Sequence, residues 1–376
     1  MGPGGLLFGI DSHGAEGEGA GNSTYARGLI SALFAASGPD DFALFAADPT
    51  HAFYRSLPAR RRSRAIRVPQ GRGLLRLGGA LGWAARRERV DALHVQYTAP
   101  LGYRRPLVVT VHDLGFVHVP ESFPSGLRMA LRALVPRSMA RAARVVTDSE
   151  FSGRDLADRF AVPREKIAVI PLSADARFRP LGSAEVAAVL DRYGLRPGFL
   201  FSLGRLNRRK NLERLLIAHA RLRAGAGSDA VLVIGGKRDY GVEDVLGQVR
   251  RSAGGPAVRL VEFIPDADLP AFYAGAACFV YPSLFEGFGL PVLEAMACAT
   301  PVVASNRAAL PELAGDAALL IDPESPDAIA AAIARVLGDR ALAGELGARG
   351  LARSRRYSWE ETARRTLGVY RDAVRA

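Results

Sequence analysis

The chain has 376 residues, too many for one small core and enough for two domains; 49% are apolar and 23% charged, which excludes a disordered chain. No uninterrupted apolar run approaches the ~18 to 20 residues of a membrane span, and the first residues, MGPGGLLFGIDSHG, lack the charged and long apolar regions of an export signal. The net charge is +12, with 23 Lys and Arg against 15 Asp and Glu in residues 1–172 and 27 against 23 in the remainder, so the basic excess lies in the first half.

The basic clusters RRRSR (Arg60–Arg64), Arg86/Arg87 and Arg104/Arg105 lack the interleaved aromatics of a nucleic-acid groove, so no specific nucleic-acid partner is expected. They suit a solvated surface, or an anionic lipid surface or lipid-diphosphate acceptor. At the start, LLFGID is a short buried strand. A glycine-rich segment follows and runs into a helix near Asn22, with Ser23 or Thr24 as N-cap. Dinucleotide sites open in the same way, but the spacing here is not GxGxxG, and no acidic residue closes a second strand about 20 residues on.

FALFAA (Phe42–Ala47), AIRVP (Ala65–Pro69) and, after a helix near Leu74–Arg87, ALHVQY (Ala92–Tyr97) continue the alternation of a parallel sheet covered by helices. PLVVTVHD (Pro106–Asp113) reads as a central strand that delivers His112 and Asp113 to its carboxyl edge, where open α/β sheets bind ligands. In VVTDSEFSGRDL a strand leads to a helix capped by Ser149 or Ser152; without a GxSxG elbow neither is a nucleophile. KIAVIPLSAD closes a first domain, residues 1–175, and residues 176–196 form a linker.

The second domain, residues 197–355, opens with FLFSL (Phe199–Leu203), which breaks at Gly204 and leads to a helix with Asn211 as N-cap. Arg205 and Lys210 flank this turn, two cations of the kind a nucleotide diphosphate requires as it leaves, while Arg208 and Arg209 read as surface. AVLVIGG, VRLVEFIP and ACFVYPS are further strands, and the backbone at Phe263, Ile264 and Pro265 suits a nucleotide base. Asp266 and Asp268 form a DxD, but they precede an apolar helix, where Asp is an N-cap, so no metal site is expected.

YPSLFEGFGLPVLEAMA (Tyr281–Ala297) then joins a strand end, a glycine loop and a helix. Gly287 and Gly289 let backbone N–H groups approach a ligand, and a helix opening at Leu290 or Pro291 turns its positive end to the same place, a seat for a diphosphate. Glu286 and Glu294 flank that seat and suit neutral sugar and ribose hydroxyls. PVVAS is the next strand, and Glu312 begins another helix. The tail, residues 356–376, is an amphipathic helix whose Tyr357, Trp359 and Tyr370 require a surface to pack on. Cys278 and Cys298, in apolar segments, suit a reducing cytosol with no disulfide.

The Glu286 and Glu294 spacing inside EGFGLPVLEA resembles the signature of retaining glycosyltransferases of family 4. GRLNRRKN (Gly204–Asn211), HDLGF (His112–Phe116), TDSEFSGRDL (Thr147–Leu156) and YSWEETA (Tyr357–Ala363) resemble further stations of that family, in its order. The resemblance covers nearly the whole chain. It implies an α/β GT-B fold: two Rossmann-like doubly wound parallel-sheet domains facing across a cleft, with the last helix crossing back to the first domain.

The resemblance also implies a nucleotide-sugar donor, no metal or other cofactor, and retention by same-face transfer with the leaving phosphate as base. Arg205 and Lys210 would hold the diphosphate, Glu294 the ribose and Glu286 the sugar, with backbone N–H groups of Gly287, Phe288, Gly289 and Leu290 beside them. The loop carrying Gly19 and Gly21 would approach the donor phosphate and acceptor, and His112 with Glu286 would serve the reacting sugar. HDLGFVHVPE with SEFSGRDL is similar to the mannosyltransferase branch, so GDP-mannose is the expected donor and a lipid-linked or growing saccharide the acceptor. A UDP-sugar transferase, a nucleotide-sugar epimerase and a non-catalytic binding module are the alternatives. The expected location is cytoplasmic, peripheral to the inner face of an anionic membrane.

Overall fold

Short runs of Val, Leu, Ile and Phe bounded by glycine and polar residues form the central strands, buried on both faces, the condition under which parallel sheets are stable, while the edge strands are partly exposed. The structure is a computed structural model that describes residues 5–17, 21–36, 38–69, 76–226, 229–240, 247 and 257–376. It contains two sheets in which every strand pair is parallel. The first comprises β1 (Leu7–Asp11), β2 (Asp41–Ala46), β3 (Arg64–Arg67), β4 (Ala92–Gln96), β5 (Leu107–Thr110), β6 (Arg144–Thr147) and β7 (Ile167–Val169), in the order β3-β2-β1-β4-β5-β6-β7. The second comprises β8 (Phe199–Leu203), β9 (Leu232–Gly235), β10 (Val258–Val261), β11 (Ala276–Tyr281), β12 (Val302–Ser305) and β13 (Leu319–Ile321), in the order β10-β9-β8-β11-β12-β13. Each sheet winds outward in two directions from its first strand, the doubly wound Rossmann-like arrangement, and the switch points lie beside β1 and β8.

The chain forms two compact units, Met1–Leu114 with Ser125–Leu172 and Ser358–Ala376, and Gly115–Pro124 with Ser173–Tyr357. The stretch Gly115–Pro124, inside the expected 1–175, thus packs with the second unit. The terminal helix Trp359–Arg375 is part of the first unit. A Cβ on Gly28 would stand 2.3 Å from the Trp359 indole, so that glycine makes room for the helix. Tyr370 is buried against Phe8, with ring centroids 4.9 Å apart, and its hydroxyl lies 2.6 Å from His94 Nδ1. A buried polar chain continues from His94 Nε2 to Thr110 Oγ1 at 2.7 Å and from there to the Tyr25 hydroxyl at 3.0 Å. Among the described residues no helix is long and apolar enough to cross a membrane.

Several local expectations change. The first long helix begins at Gly21, so Ser23 and Thr24 lie inside its first turn and neither is the N-cap; Gly19 lies outside the described residues. Ser149 does cap, accepting from Ser152 N. Asn211 is left-handed at φ +57°, and its side chain faces across to the next strand loop: Nδ2 donates to Pro282 O at 3.0 Å and Pro323 O at 2.6 Å. Asp268 occupies an N-cap position without capping, because its carboxylate accepts instead from Arg192 at 2.7 Å and the Tyr193 hydroxyl at 2.5 Å.

Candidate active site

In the second unit, β8 and β11 are neighbours at the switch point, so the turn after β8 and the loop after β11 meet although 70-odd residues of sequence intervene. The turn Arg208–Lys210 is a short 3-10 helix. Leu284 N donates to Arg209 O at 2.9 Å, which together with the Asn211 bonds laces turn and loop together. A Cβ on Gly204 would stand 2.8 Å from the Lys210 side chain, so a larger residue there would displace that amine.

Glu286 is the centre of this arrangement and is buried. Its Oε1 accepts from Lys210 Nζ at 2.6 Å, Ser283 Oγ at 2.5 Å and the Tyr281 hydroxyl at 3.0 Å; its Oε2 accepts from Arg209 at 2.6 Å. Lys210 also donates to the Tyr281 hydroxyl and sits over that ring. Burial alone would favour the neutral acid, but Arg209, Lys210 and the hydrogen bonds outweigh it and hold the Glu286 carboxyl down at about 2. Arg209 is therefore no surface cation: it is largely buried and spans Glu286 and the Phe285 carbonyl, at 2.9 Å from the latter. Arg208 is exposed, as expected.

Next to Glu286 the glycine loop turns into the helix Leu290–Ala297. Gly289 has φ +108°, and a Cβ on it would stand 2.6 Å from Leu310, so both conformation and space require glycine. Pro291 occupies the first turn, and the helix is buried on nearly all sides. Glu294 lies on it, buried, and accepts from the Tyr273 hydroxyl at 2.8 Å. Burial, with Asp266 and Asp175 adding to it against Tyr273 and Arg177, pushes its carboxyl up to about 8. Two carboxyls on one short segment are thus pushed in opposite directions, because two cations bond Glu286 directly while Arg177 does not offset the burial of Glu294.

The remaining expected residues are placed as follows. Arg205 is half exposed with Asp239 3.9 Å away, and Asn207 Nδ2 donates to the same carboxylate at 3.2 Å. Asn207 Oδ1, buried, has no hydrogen-bond partner among the described residues. Phe263 is exposed with Lys237 Nζ 4.7 Å from its ring centre, whereas Ile264 turns its side chain into the core beside Gly235. Phe285 stacks on His118 at 4.4 Å. His112 belongs to the first unit, beyond β5, with Nδ1 2.7 Å from Asp148 Oδ2 and Nε2 3.1 Å from Gln96 Oε1. Gly21 opens its helix with nothing within 4 Å of a Cβ.

Arg209, Tyr281, Ser283, Tyr273, Asp148 and Gln96 escaped the reading of the sequence. For Arg209 the signal was the strand order itself: a buried glutamate after β11 requires cations, and the doubly wound order supplies them from the turn after β8; Tyr281 and Ser283 are local to Glu286, five and three residues before it.

Residues 194–353 match the family model described as glycosyl transferases group 1, and residues 21–178 that described as glycosyltransferase family 4. The chain is 37% identical over 266 residues to O-antigen chain mannosyltransferase B of Escherichia coli, covering 70% of each protein. It is 32% identical over 234 residues to the serotype-specific mannosyltransferase WbdA of Escherichia coli, covering 61% of this chain and only 28% of that longer protein. Its structure is similar to that of sucrose-phosphate synthase from Thermosynechococcus elongatus, with a TM-score of 0.78, 25% identity and 98% of each chain covered.

Proposed function

Since the chain belongs to glycosyltransferase family 4, and is a glycosyltransferase built from two Rossmann-like domains of the GT-B type, we propose that it transfers mannose from GDP-mannose to a saccharide or lipid-linked acceptor. The observation that carries this reading is the Glu286 cluster: a buried carboxylate with two cations, beside a glycine turn that opens a helix, at the switch point of a parallel sheet. Mannose as the sugar is supported by the names of the two Escherichia coli relatives.

On this reading the first helical turn after Gly289, with Arg205 and Lys210, receives the diphosphate. Glu294 takes ribose hydroxyls and Glu286 sugar hydroxyls. His112 serves turnover more than nucleotide affinity. The bond from the anomeric carbon to phosphate breaks while the bond to the acceptor oxygen forms on the same face, and the hydroxyl proton passes to the departing phosphate. No metal enters the proposal. The product keeps the donor's anomeric configuration, and activity survives a chelator.

The test is a thermal-shift screen of GDP-, UDP- and ADP-sugars, followed by transfer of labelled mannose to saccharide acceptors. GDP-mannose is expected to raise the melting temperature and Lys210→Ala to abolish the rise. A rise with UDP-sugars alone would replace the donor, and a rise with no transfer to any acceptor would reduce the protein to a binding module. The acceptor reading extends to the membrane: in the first unit Trp83 and Leu101 are exposed near Arg86 and Arg87, and the largely exposed helix Ser125–Arg141 carries arginines and no acid. Co-sedimentation with anionic but not neutral vesicles is expected, and equal binding to both would discard it.

A further inference from the structure

Both acceptors around the His112 ring are oxygens. With Asp148 ionised, only the imidazolium has a hydrogen for each; a neutral imidazole would serve both only if the Asp148 carboxyl held the proton and donated it to Nδ1. Asp148 is buried, and its second oxygen, Oδ1, has no hydrogen-bond partner among the described residues; burial and the Asp113 charge push its carboxyl up, and the His112 charge and hydrogen bond are what oppose that rise. The ring is clamped in place as well: Tyr25 meets it edge-on at 4.6 Å, Tyr97 lies at 5.7 Å, and the His112 carbonyl accepts from Ser152 Oγ at 3.1 Å. Among the described residues the groups that act on it with charge are Asp148 and, next in sequence, Asp113. The others are neutral, because burial pushes the Tyr25 phenol up and the His94 imidazole down to about 3. Burial opposes a charge on His112, and the two carboxylates with the Asp148 hydrogen bond outweigh it, so its proton affinity is raised.

We infer that Asp148 and Gln96 are positioning residues that hold the His112 ring as an imidazolium, so that it offers the transfer a fixed N–H and a positive charge and takes no proton. The inference rests on the glycosyltransferase reading and goes beyond it, because it assigns the His112 ring a charge and names the residues that set it. The acceptor's proton then has the leaving phosphate oxygen as its destination.

The test is nitrogen-15 NMR of the histidine rings in the full-length chain between pH 5.5 and 9, for wild type, Asp148→Asn and Gln96→Leu. In wild type both His112 ring nitrogens are expected to be protonated at pH 7.5. Asp148→Asn should lower the midpoint by about one pH unit or more, and Gln96→Leu by less. A bare ring nitrogen in wild type at pH 7, or a midpoint that Asp148→Asn leaves in place, overturns the inference. Asp148→Glu, which keeps the charge, is the variant to use if the asparagine protein does not fold. With the sugar nucleotide chosen by the thermal-shift screen, the alkaline limb of kcat should move to lower pH in Asp148→Asn while KM for the donor stays within about twofold. A limb that stays put, with only the melting temperature lowered, would mean a structural role. Absence of turnover with every donor would defeat the functional reading, and the NMR result would still stand on its own.

Discussion

Glu286 and Glu294 sit eight positions apart, yet their surroundings drive their protonation in opposite directions, and each leaves a separate mark on stability. The Glu294 carboxyl lies above its ordinary 4.5, at about 8, so the folded state binds a proton that the unfolded chain has already lost. Its contribution is complete below pH 4.5 and disappears as pH rises through 8, a loss on the order of 5 kcal/mol if the whole shift is realised. Relative to Glu294→Gln, which cannot titrate, the wild type should lose stability steadily from pH 5 to 8; denaturant titrations at four pH values would measure it, and parallel curves would contradict the cause assigned here. Glu286 has the reverse sign. With its carboxyl at about 2, its stabilisation is complete above pH 4.5 and is lost as pH falls toward 2, about 3 kcal/mol in all. Lys210→Met should remove part of that acid dependence and, by leaving Glu286 with one cation fewer, lower stability at pH 7 by ~3 kcal/mol.

At the scale of elements, Gly289 joins strand loop to helix. Gly289→Ala combines a left-handed φ of +108° with a methyl 2.6 Å from Leu310, and should cost about 2 to 4 kcal/mol, read as a lower denaturant midpoint with an unchanged slope. That glycine was legible in the sequence because the chemistry of a turn is local. So were most strands, whose unbroken apolar runs match β1, β2, β4, β5, β8, β9, β11 and β12. What could not be read was anything decided across the sheet. Arg209 looks like solvent-facing charge until β11 brings Glu286 beside it. Asn211 looks like a helix cap until the loops of Pro282 and Pro323 claim its amide. β13 is three residues long, Leu319–Ile321, and only its pairing with β12 makes it a strand. The pairing of His112 with Asp148 likewise depends on β5 and β6 being neighbours.

For the whole molecule, the division of the chain matters more than either sheet. The first unit is completed by Ser358–Ala376, whose Tyr370 fills the space against Phe8 and satisfies His94. A chain ending at Tyr357 should expose β1, β4 and β5, and hydrogen exchange would show their amides losing protection while β8 and β11 keep theirs. Equal protection in both sheets of the shortened chain would mean that the terminal helix is an accessory. Tyr370→Phe is the milder form: it leaves a buried imidazole nitrogen without its partner and should cost ~1 to 3 kcal/mol.

That return of the last helix also sets an order of events during synthesis. The strands made first wait, with Phe8 and His94 uncovered, until Ser358–Ala376 has been translated and clears the ribosomal tunnel; the part made later can close before the part made earlier. A frameshift or premature stop ahead of Ser358 would therefore damage the unit that holds the first strands, and nascent chains stalled there would be the species a chaperone has to shelter.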